Sequence, residues 1–351
     1  MGSQLVADLY YDPYDYEIDA DPYPVWRRMR DEAPLYRNDR HDFYALSRFA
    51  DVHEASLDVE TFSSAKGTVL ELMNHGQETY PFPMMIFRDP PEHTQLRKLV
   101  SRAFSPRRIA ALEDQIRQLT NRYLDQFVGA GGFDYVADFG AKLPMMVIGA
   151  MLGVPAEDRH AVEAELTRED GTTRRLGDGE VLAFIGLLSG AGNETVARLL
   201  GWTGATLARF PGERRKLVQN PGLIPKGVEE LLRYEAPSPV QARWVTRATT
   251  WHGMVVPKGS RIVLLTGSAG RDEREYQDPD RFDVERTMER HVTFGYGIHF
   301  CLGASLARME GRIAIEETLK RFPEWDVRFD DAEMVHTSTV RGWARLPIVT
   351  R

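Results

Sequence analysis

Apolar residues recur at intervals of three and four along much of the chain, which is the spacing of one face of an amphipathic helix. The longest such run follows Ser105 and Pro106, residues typical of a helix start, and predicts one helix that extends to Phe127. A more apolar stretch predicts a helix over residues 180–209, roughly 45 Å long at about 1.5 Å per residue, which would span the whole domain. Further helices are predicted over residues 21–33, 51–57 (with Asp51 as the N-cap), 142–152 and 302–321.

Strands are predicted from shorter apolar runs that contain β-branched residues. The runs 254–256 and 261–265, joined by a Pro-Lys-Gly turn, predict a β-hairpin. Between residues 62 and 87 the periodicity fades although methionines and aromatic residues are frequent, so this long loop either packs on the core or lines a pocket. The other predicted strands lie at residues 43–46, 241–249, 326–329 and 343–349.

Composition excludes several classes of protein. The 351 residues suit one large domain or two ordinary ones, and 42% hydrophobic with 27% charged residues is ordinary for a globular protein. A net charge of −8 argues against a nucleic-acid binder. The chain contains no apolar run of about 18 residues, which predicts no membrane span, and its acidic start does not resemble a signal peptide. One cysteine excludes an internal disulfide framework and suits a reducing cytoplasm.

That single cysteine, Cys301, lies on a glycine-rich loop directly before a predicted helix. The positive end of a helix dipole stabilises a thiolate over a thiol, and glycines let a bulky flat group approach the backbone. Four interpretations are open. A zinc site would need further ligands, such as a C-x-x-C pair, and a nucleophile with His299 as its base would need other hydrolase motifs. A buried structural cysteine is the usual case, and the fourth interpretation is an axial ligand of haem iron.

The residues around Cys301 resemble the haem-binding signature F-G-x-G-x-H-x-C-x-G of the cytochrome P450 family, the haem-thiolate monooxygenases. The resemblance implies that Cys301 ligates the iron of haem b and that Phe294, Gly295 and Gly303 contact the cofactor. It also implies a single domain over residues 1–351 that is mainly α with small β-sheets, with the haem between a long central helix and the cysteine-loop helix. All six defining positions match, namely Phe294, Gly295, Gly297, His299, Cys301 and Gly303.

A second motif supplies candidate ligands for the haem propionates. His93 and Arg97 lie four residues apart and therefore share one helix face. Taken alone, the pair would be interpreted as a solvated helix surface. In the family, H-x-x-x-R at this place binds the propionates, and the resemblance implies the same role for Arg243 and His299, through charge-assisted hydrogen bonds.

The predicted central helix contains Ala191-Gly192-Asn193-Glu194-Thr195, which resembles the oxygen-activating motif of the family. A hydroxyl and a carboxylate beside the oxygen-binding face of the haem can order water and deliver protons. A threonine in the middle of a helix also commonly bonds back to its own backbone. Because the motif is present, Thr195 and Glu194 are predicted to be catalytic and Ala191 to contact the cofactor. Val196 departs from the second threonine of many members.

Two further features follow from the resemblance. Glu230 and Arg233 form an E-x-x-R pair that is a weak signal alone, but its family counterpart pairs with an arginine of a P-x-R-F segment, which is present as residues 279–282. We therefore predict a structural triad of Glu230, Arg233 and Arg281 on the proximal side of the haem. The apolar loop and three other segments are predicted to line the substrate pocket with Leu70, Met84, Met85, Phe87, Leu187, Leu188, Val240, Gln241 and Thr339.

The stretch after residue 152 is unexpectedly short. Members of the family place several more helices there, which form a lid over the substrate pocket, whereas here only the largely polar residues 156–179 intervene. Either the enzyme is truncated, or a lid segment is missing from the sequence between about residues 159 and 167. We favour the second interpretation because a member without a lid would expose its haem pocket to water.

We therefore expect a monooxygenase that inserts one oxygen atom of O2 into a small, largely apolar organic substrate, as in natural-product or secondary-metabolite tailoring. No reductase domain is attached, so the expected electron donors are a separate ferredoxin and ferredoxin reductase. The resemblance is to the soluble bacterial type, which implies a cytoplasmic monomer. An acidic partner is expected to dock near Arg102, Arg107, Arg308 and Arg312.

Two alternatives remain at this point. The first is an enzyme of the same fold that catalyses oxidative coupling or desaturation, or that is driven by peroxide. The acid–threonine pair argues against a peroxide specialist. The second is a non-catalytic haem sensor or carrier, which would need neither that pair nor a pocket.

Overall fold

A computed structural model of the chain describes residues 9–75, 84–152, 165–167, 173–175 and 177–351. The architecture is mainly helical with small β-sheets, which confirms the predicted fold class. The proposed lid break lies outside the described residues except for its last three positions. None of the described helices combines the length and apolar character that crossing a bilayer requires.

The helices are numbered in chain order. They are α1 Tyr16–Ala20, α2 Tyr23–Glu32, α3 Phe49–Leu57, α4 Leu70–His75, α5 Glu92–Ser101, α6 Pro106–Ala110, α7 Glu113–Leu124, α8 Lys142–Leu152, α9 Asp178–Arg209, α10 Pro211–Gln219, α11 Ile224–Tyr234, α12 Thr266–Ala269 and α13 Ala304–Arg321. A π-helical segment, Tyr135–Gly140, precedes α8.

The strands form one larger and several small sheets. They are β1 Leu35–Asn38, β2 Phe43–Leu46, β3 Phe62–Ser63, β4 Gly132–Asp134, β5 Glu165–Thr167, β6 Thr173–Arg175, β7 Gln241–Val245, β8 Thr249–Trp251, β9 Met254–Val256, β10 Arg261–Leu264, β11 Trp325–Val327, β12 Glu333–Met334, β13 Trp343–Arg345 and β14 Pro347–Thr350. The largest sheet has the order β1-β2-β10-β7-β3, in which only β2 and β10 run parallel. The others are β11-β14-β4, β12-β13, β5-β6 and β8-β9.

The central helix α9 confirms the prediction and organises the main core. It is 32 residues long and packs against α8, the π-helical segment and α13. Its glycines permit these close contacts. A methyl group added at Gly204 would lie 2.8 Å from a ring carbon of Tyr135 and 2.9 Å from a methyl carbon of Leu346. Glycine therefore lowers the helix propensity of α9 but lets neighbouring elements touch its backbone.

The predicted helix from residue 106 to 127 is interrupted in the structure. It divides into α6, α7 and a terminal 3-10 turn, because Leu112 donates to the carbonyl of Ile109 in a tight turn. The sequence did not reveal the break because both helices bury the same face: Ile109, Ile116 and Leu124 are all in the core. The apolar period therefore continues through the turn.

The predicted hairpin between residues 254–256 and 261–265 is wrong. β9 pairs instead with β8, through a two-residue turn in which His252 and Gly253 both have positive φ angles of 51° and 79°. Such a turn matches the twist of an antiparallel pair. β10 pairs with β2 and β7 in the large sheet.

Asp51 is not the N-cap of its helix. The helix α3 begins two residues earlier, and the carboxylate of Asp272 accepts the backbone N–H of Phe49 at 2.8 Å. A distant residue therefore caps this helix, which local sequence spacing does not show.

Two alanine substitutions test the close packing of α9. Gly204→Ala should cost about 1–3 kcal/mol in free energy of unfolding because of the overlap with Tyr135 and Leu346. Gly149→Ala in α8 is the matched control, since no atom lies within 4 Å of its added methyl group, and it should stabilise by about 0.5–1 kcal/mol. Urea unfolding of both variants measures this. Equal effects of the two substitutions would contradict the packing at Gly204.

Candidate functional site

The cysteine loop is closed by backbone geometry that glycine permits. Gly295 and Gly297 have φ angles of 69° and 68°, a region that disfavours other residues. A methyl group at Gly297 would also approach the Ser56 carbonyl to 2.9 Å. The N–H of Cys301 then donates to the carbonyl of Phe294 at 2.8 Å. The loop therefore presents Cys301 as an exposed free thiol just before α13, whose N-cap is Gly303.

Four nitrogen-bearing side chains from three parts of the chain gather beside this loop. The rings of His93 from α5 and His299 from the loop have centroids 4.4 Å apart. Arg243, on β7, is buried, and its guanidinium donates only to the carbonyl of Ala242 among the described residues. Arg97 donates to the carbonyl of Phe300 at 2.6 Å. The structure thus brings together the four residues that the sequence predicted to hold the propionates.

Several imidazole nitrogens in this cluster have no hydrogen-bond partner. Within the part of the chain that the structure describes, neither ring nitrogen of His93 has a hydrogen-bond partner, and Nε2 of His299 has none either. Buried polar atoms without partners are uncommon in folded proteins and need an explanation. A bound group with acceptor atoms would supply these partners.

The electrostatics point to an anionic group. Burial lowers the pKa of His93, and the charge of Arg97 lowers it further. Burial, followed by the charges of Arg243, His93 and Arg97, lowers the pKa of His299 to about 2. Burial alone lowers the pKa of Arg243 to about 10, with only Asp89 opposing it. The lowered pKa values leave both histidines neutral at neutral pH, so the positive charge here belongs to Arg97 and Arg243, for which carboxylates are suitable partners.

The thiol environment complements the cationic cluster. Cys301 is accessible to solvent, but the protein atoms packed around its thiol partly desolvate it, which raises its pKa, whereas the N–H of Gly303 and the charges of Arg97 and Arg308 lower it. A soft sulfur ligand next to arginines and to histidine nitrogens that lack partners fits a cofactor with a metal at its centre and carboxylates at its edge. Haem b, an iron porphyrin with two propionates, has both features.

The acid–threonine pair lies on α9. The hydroxyl of Thr195 donates to the carbonyl of Ala191 at 2.7 Å, so the back-bonded arrangement considered from the sequence is present. That bond leaves the oxygen lone pairs free to accept from another donor. The side chain of Glu194 is exposed, and its charge acts on Arg198.

The predicted triad of Glu230, Arg233 and Arg281 is only partly correct. Arg233 makes a bidentate pair with Glu230 at 2.7 Å in both bonds, and both residues are fully buried. The third member is Arg286, whose Nε lies 3.1 Å from the same carboxylate. Arg281 has an exposed side chain that pairs with Asp283 and contributes only its backbone carbonyl. The signal that sequence reasoning missed is this second arginine, five residues further on.

The predicted pocket residues fall into separate groups. Leu70 and Val240 are buried in one apolar cluster, whereas Met85 lies in another, against which Leu187 and Leu302 pack. The remaining candidates take peripheral positions: Met84 approaches Gly186 of α9, Ser238 links Gln241 to the carbonyl of Thr339, and Leu188 and Phe87 are half-buried.

The predicted docking arginines are not equivalent. Arg308 pairs with Glu229 at 2.6 Å, and Arg312 pairs with Glu113 and Glu316 at 2.9 Å each. These two charges are largely neutralised on the protein. Arg102 and Arg107 are exposed and have no ion pair among the described residues, so the unneutralised positive surface is smaller than predicted.

Comparison with known proteins agrees with this geometry. The family profile described as Cytochrome P450 matches residues 154–340, just over half of the chain. A Mycobacterium tuberculosis protein that carries the designation cytochrome P450 123 is 39% identical over 389 residues, covering 97% of both chains. The vitamin D(3) 25-hydroxylase of Pseudonocardia autotrophica is 33% identical over 377 residues, covering 93% of both.

Solved structures show the same fold. The P450 CYP109Q5 from Chondromyces apiculatus matches with a TM-score of 0.86 at 28% identity, covering 97% of this chain and 98% of that one. The P450 PksS of the Bacillus subtilis bacillaene polyketide synthase matches with a TM-score of 0.85 at 29% identity, covering 97% and 100%. The chain belongs to the cytochrome P450 family. The family binds haem b and its members are monooxygenases, so this chain is a haem-dependent oxidoreductase.

Replacing one arginine at a time tests the corrected triad. Arg286→Ala should cost about 1–3 kcal/mol in free energy of unfolding, because it removes one donor from the buried Glu230 carboxylate and from three backbone carbonyls. Arg281→Ala keeps the carbonyl that the triad uses and should change stability by no more than about 0.5 kcal/mol. Thermal and urea unfolding measure both. A larger loss of unfolding free energy in Arg281→Ala than in Arg286→Ala would support the original prediction that Arg281 is the third member of the triad.

Proposed function

We propose that the protein is a cytoplasmic, O2- and electron-dependent monooxygenase of a small, largely apolar organic molecule, with a separate ferredoxin and ferredoxin reductase as electron donors. The observation that carries the proposal is the cluster beside the free thiol of Cys301, in which two arginines lie with two histidines, and three of the histidine nitrogens have no hydrogen-bond partner among the described residues. No other class of ligand considered from the sequence uses both a single thiolate and several carboxylate-binding side chains.

In this proposal Cys301 ligates the haem iron, and His93, His299, Arg97 and Arg243 bind the propionates. When bound, haem supplies the redox chemistry by which O2 is activated. Arg97 also bonds the carbonyl of Phe300, next to the ligand, so a propionate on Arg97 would hold the loop in place. Charge-assisted hydrogen bonds of this kind are about twice as strong as neutral ones.

Thr195 and Glu194 hold and move protons on the distal side. The bond to Ala191 fixes the orientation of the Thr195 hydroxyl, whose lone pairs can then accept from a water molecule. Glu194 is exposed and can exchange protons with solvent. A hydroxyl held in place beside an exchangeable carboxylate is the arrangement that directed proton delivery requires.

The substrate class is supported by the pocket candidates and by relatives. The candidates are mostly apolar, and one relative is a vitamin D(3) 25-hydroxylase, while PksS belongs to a bacillaene polyketide synthase. The association of PksS with a polyketide synthase supports tailoring of a natural product or secondary metabolite.

The alignment with cytochrome P450 123 shows that this chain lacks residues that the relative has, which is relevant to the missing lid helices. In the alignment with cytochrome P450 123, 97% of 351 residues is about 340, yet the alignment spans 389 positions, so about 49 positions have no counterpart here. A difference of this size supports the proposal that lid helices are lacking. The place proposed for them, between about residues 159 and 167, stays a prediction.

Reconstitution with haem tests the proposed function. The reduced carbon monoxide complex should show a thiolate-type Soret band, and apolar natural-product scaffolds should give type-I spectral shifts. Turnover should require NAD(P)H with a ferredoxin and its reductase. Turnover with peroxide alone at the same rate would favour the peroxide-driven alternative. Full activity in the Cys301→Ala variant would overturn the proposed role of the thiolate.

Substitution of Thr195 tests proton delivery. Thr195→Ala should reduce the product formed per NAD(P)H consumed by about tenfold or more, because the oriented hydroxyl is lost. Thr195→Ser keeps a hydroxyl and should retain most of the coupling. Product yield and NAD(P)H consumption are measured together. Unchanged coupling in the alanine variant would remove Thr195 from the mechanism.

Charge reversal tests the reduced docking surface. Arg102→Glu with Arg107→Glu should slow reduction by the ferredoxin about tenfold or more at low salt, because electrostatic steering would be lost. Arg312→Glu is the matched control, since Arg312 is already paired with two carboxylates. Stopped-flow reduction at two ionic strengths measures the effect. Equal slowing in the control would argue for a different docking face.

A further inference from the structure

A carboxylate that the proposed mechanism does not use joins three elements behind the cysteine loop. Glu229, on α11, accepts from Nε of Arg308 at 2.6 Å and from its terminal nitrogen at 2.9 Å. The same carboxylate lies 3.0 Å from Nε2 of His291, in the segment that leads into the loop. Glu229 therefore ties α11 to α13 and to the approach of the cysteine loop.

The histidine has one tautomer that satisfies both of its contacts. The backbone N–H of Thr293 donates to Nδ1 of His291 at 3.3 Å, so Nε2 carries the hydrogen and donates to Glu229. The side chain of His291 is 4% exposed, which removes competition from water. Thr293 also donates through its hydroxyl to the carbonyl of Leu232 on α11. These bonds hold the entrance of the loop against α11.

Arg308 is the member of this cluster that contacts Phe294 of the cysteine loop. Its guanidinium carbon lies 4.5 Å from the centre of the Phe294 ring, and the carbonyl of Phe294 accepts the N–H of Cys301 at 2.8 Å. Because Arg308 lies against the residue whose carbonyl holds the N–H of Cys301, its positive charge contributes to the electrostatic potential at the sulfur atom.

Glu229 opposes that contribution. Its bonds to His291 and Arg308 outweigh its desolvation and lower the pKa of its carboxylic acid to about 2, so it remains ionised at neutral pH. A fixed negative charge 2.6 Å from Arg308 cancels part of the potential that the guanidinium produces at Cys301. We propose that Glu229 is a positioning residue that holds Arg308 against Phe294 and sets the net positive potential at the iron-ligating sulfur. The inference rests on the proposed role of Cys301.

The proposal predicts opposite effects from the two members of the ion pair. Glu229→Gln leaves the charge of Arg308 uncompensated, which should stabilise the more electron-rich reduced haem and shift the reduction potential positive. Arg308→Gln leaves Glu229 uncompensated and should shift the potential negative. The double variant should return towards the wild-type value. Spectroelectrochemical titration of the haem-loaded protein measures the potential, and the reduced carbon monoxide spectrum confirms that thiolate ligation persists.

Matched controls separate this effect from simple loss of structure. Arg308→Lys keeps the charge without the forked geometry, and should stay closer to the wild-type potential than Arg308→Gln. The pair Glu113 and Arg312, in contact at 2.9 Å further along α13, should leave the potential unchanged when either member is replaced by glutamine. If Glu229→Gln does not fold, the comparison of Arg308→Gln with Arg308→Lys decides the question.

The outcomes distinguish failure of this inference from failure of the proposed function. Shifts of the same sign in Glu229→Gln and Arg308→Gln, or no shift in either, would overturn the inference while leaving the role of Cys301 intact. A wild-type protein without a thiolate-type Soret band would overturn both. Opposite shifts that cancel in the double variant would support the assignment, because a scaffolding role alone has no reason to produce a change of sign.

Discussion

The grouping of Arg97 and Arg243 with His93 and His299 beside Cys301 is the constraint on which the functional site depends. Arg243 is buried without a carboxylate in hydrogen-bond contact, and the nitrogen atoms of His93 lack acceptors within the described chain. Burial of charge without a partner costs several kcal/mol. A cofactor edge that carries carboxylates would reduce this cost, so the proposed propionate contacts would couple haem binding to folding stability.

The rest of the architecture keeps these groups in position. The central helix α9 carries Thr195 and Glu194, and its glycines let Tyr135 and Leu346 contact its backbone. On the other side, α11 supplies two adjacent acids with different tasks. Glu230 pairs with Arg233 and Arg286 to hold the segment before the loop, whereas Glu229 pairs with Arg308 on α13. Neighbouring carboxylates thus connect one helix to both segments that flank the cysteine.

The sequence predicted features that depend on local spacing. The glycines around Cys301, the four-residue interval between His93 and Arg97, and the apolar run of α9 each constrain backbone conformation or place side chains on one helix face. It failed where the partner is distant. The strand β9 could pair with either neighbour, and the tight turn at His252 and Gly253 decided the outcome. The break between α6 and α7 was hidden because the buried face continues across it.

Taken by itself, the sequence therefore determined the family and the helical class of the fold, and it predicted which residues gather beside the cysteine loop. Only the tertiary structure decided which charges meet. Arg286 rather than Arg281 reaches Glu230, and Arg308 is neutralised while Arg102 is free of ion pairs among the described residues. The physical reason is that an ion pair depends on the separation of two atoms in space. Several arginines lie at suitable places in the sequence, and the folded backbone brings only some of them within contact distance of an acid.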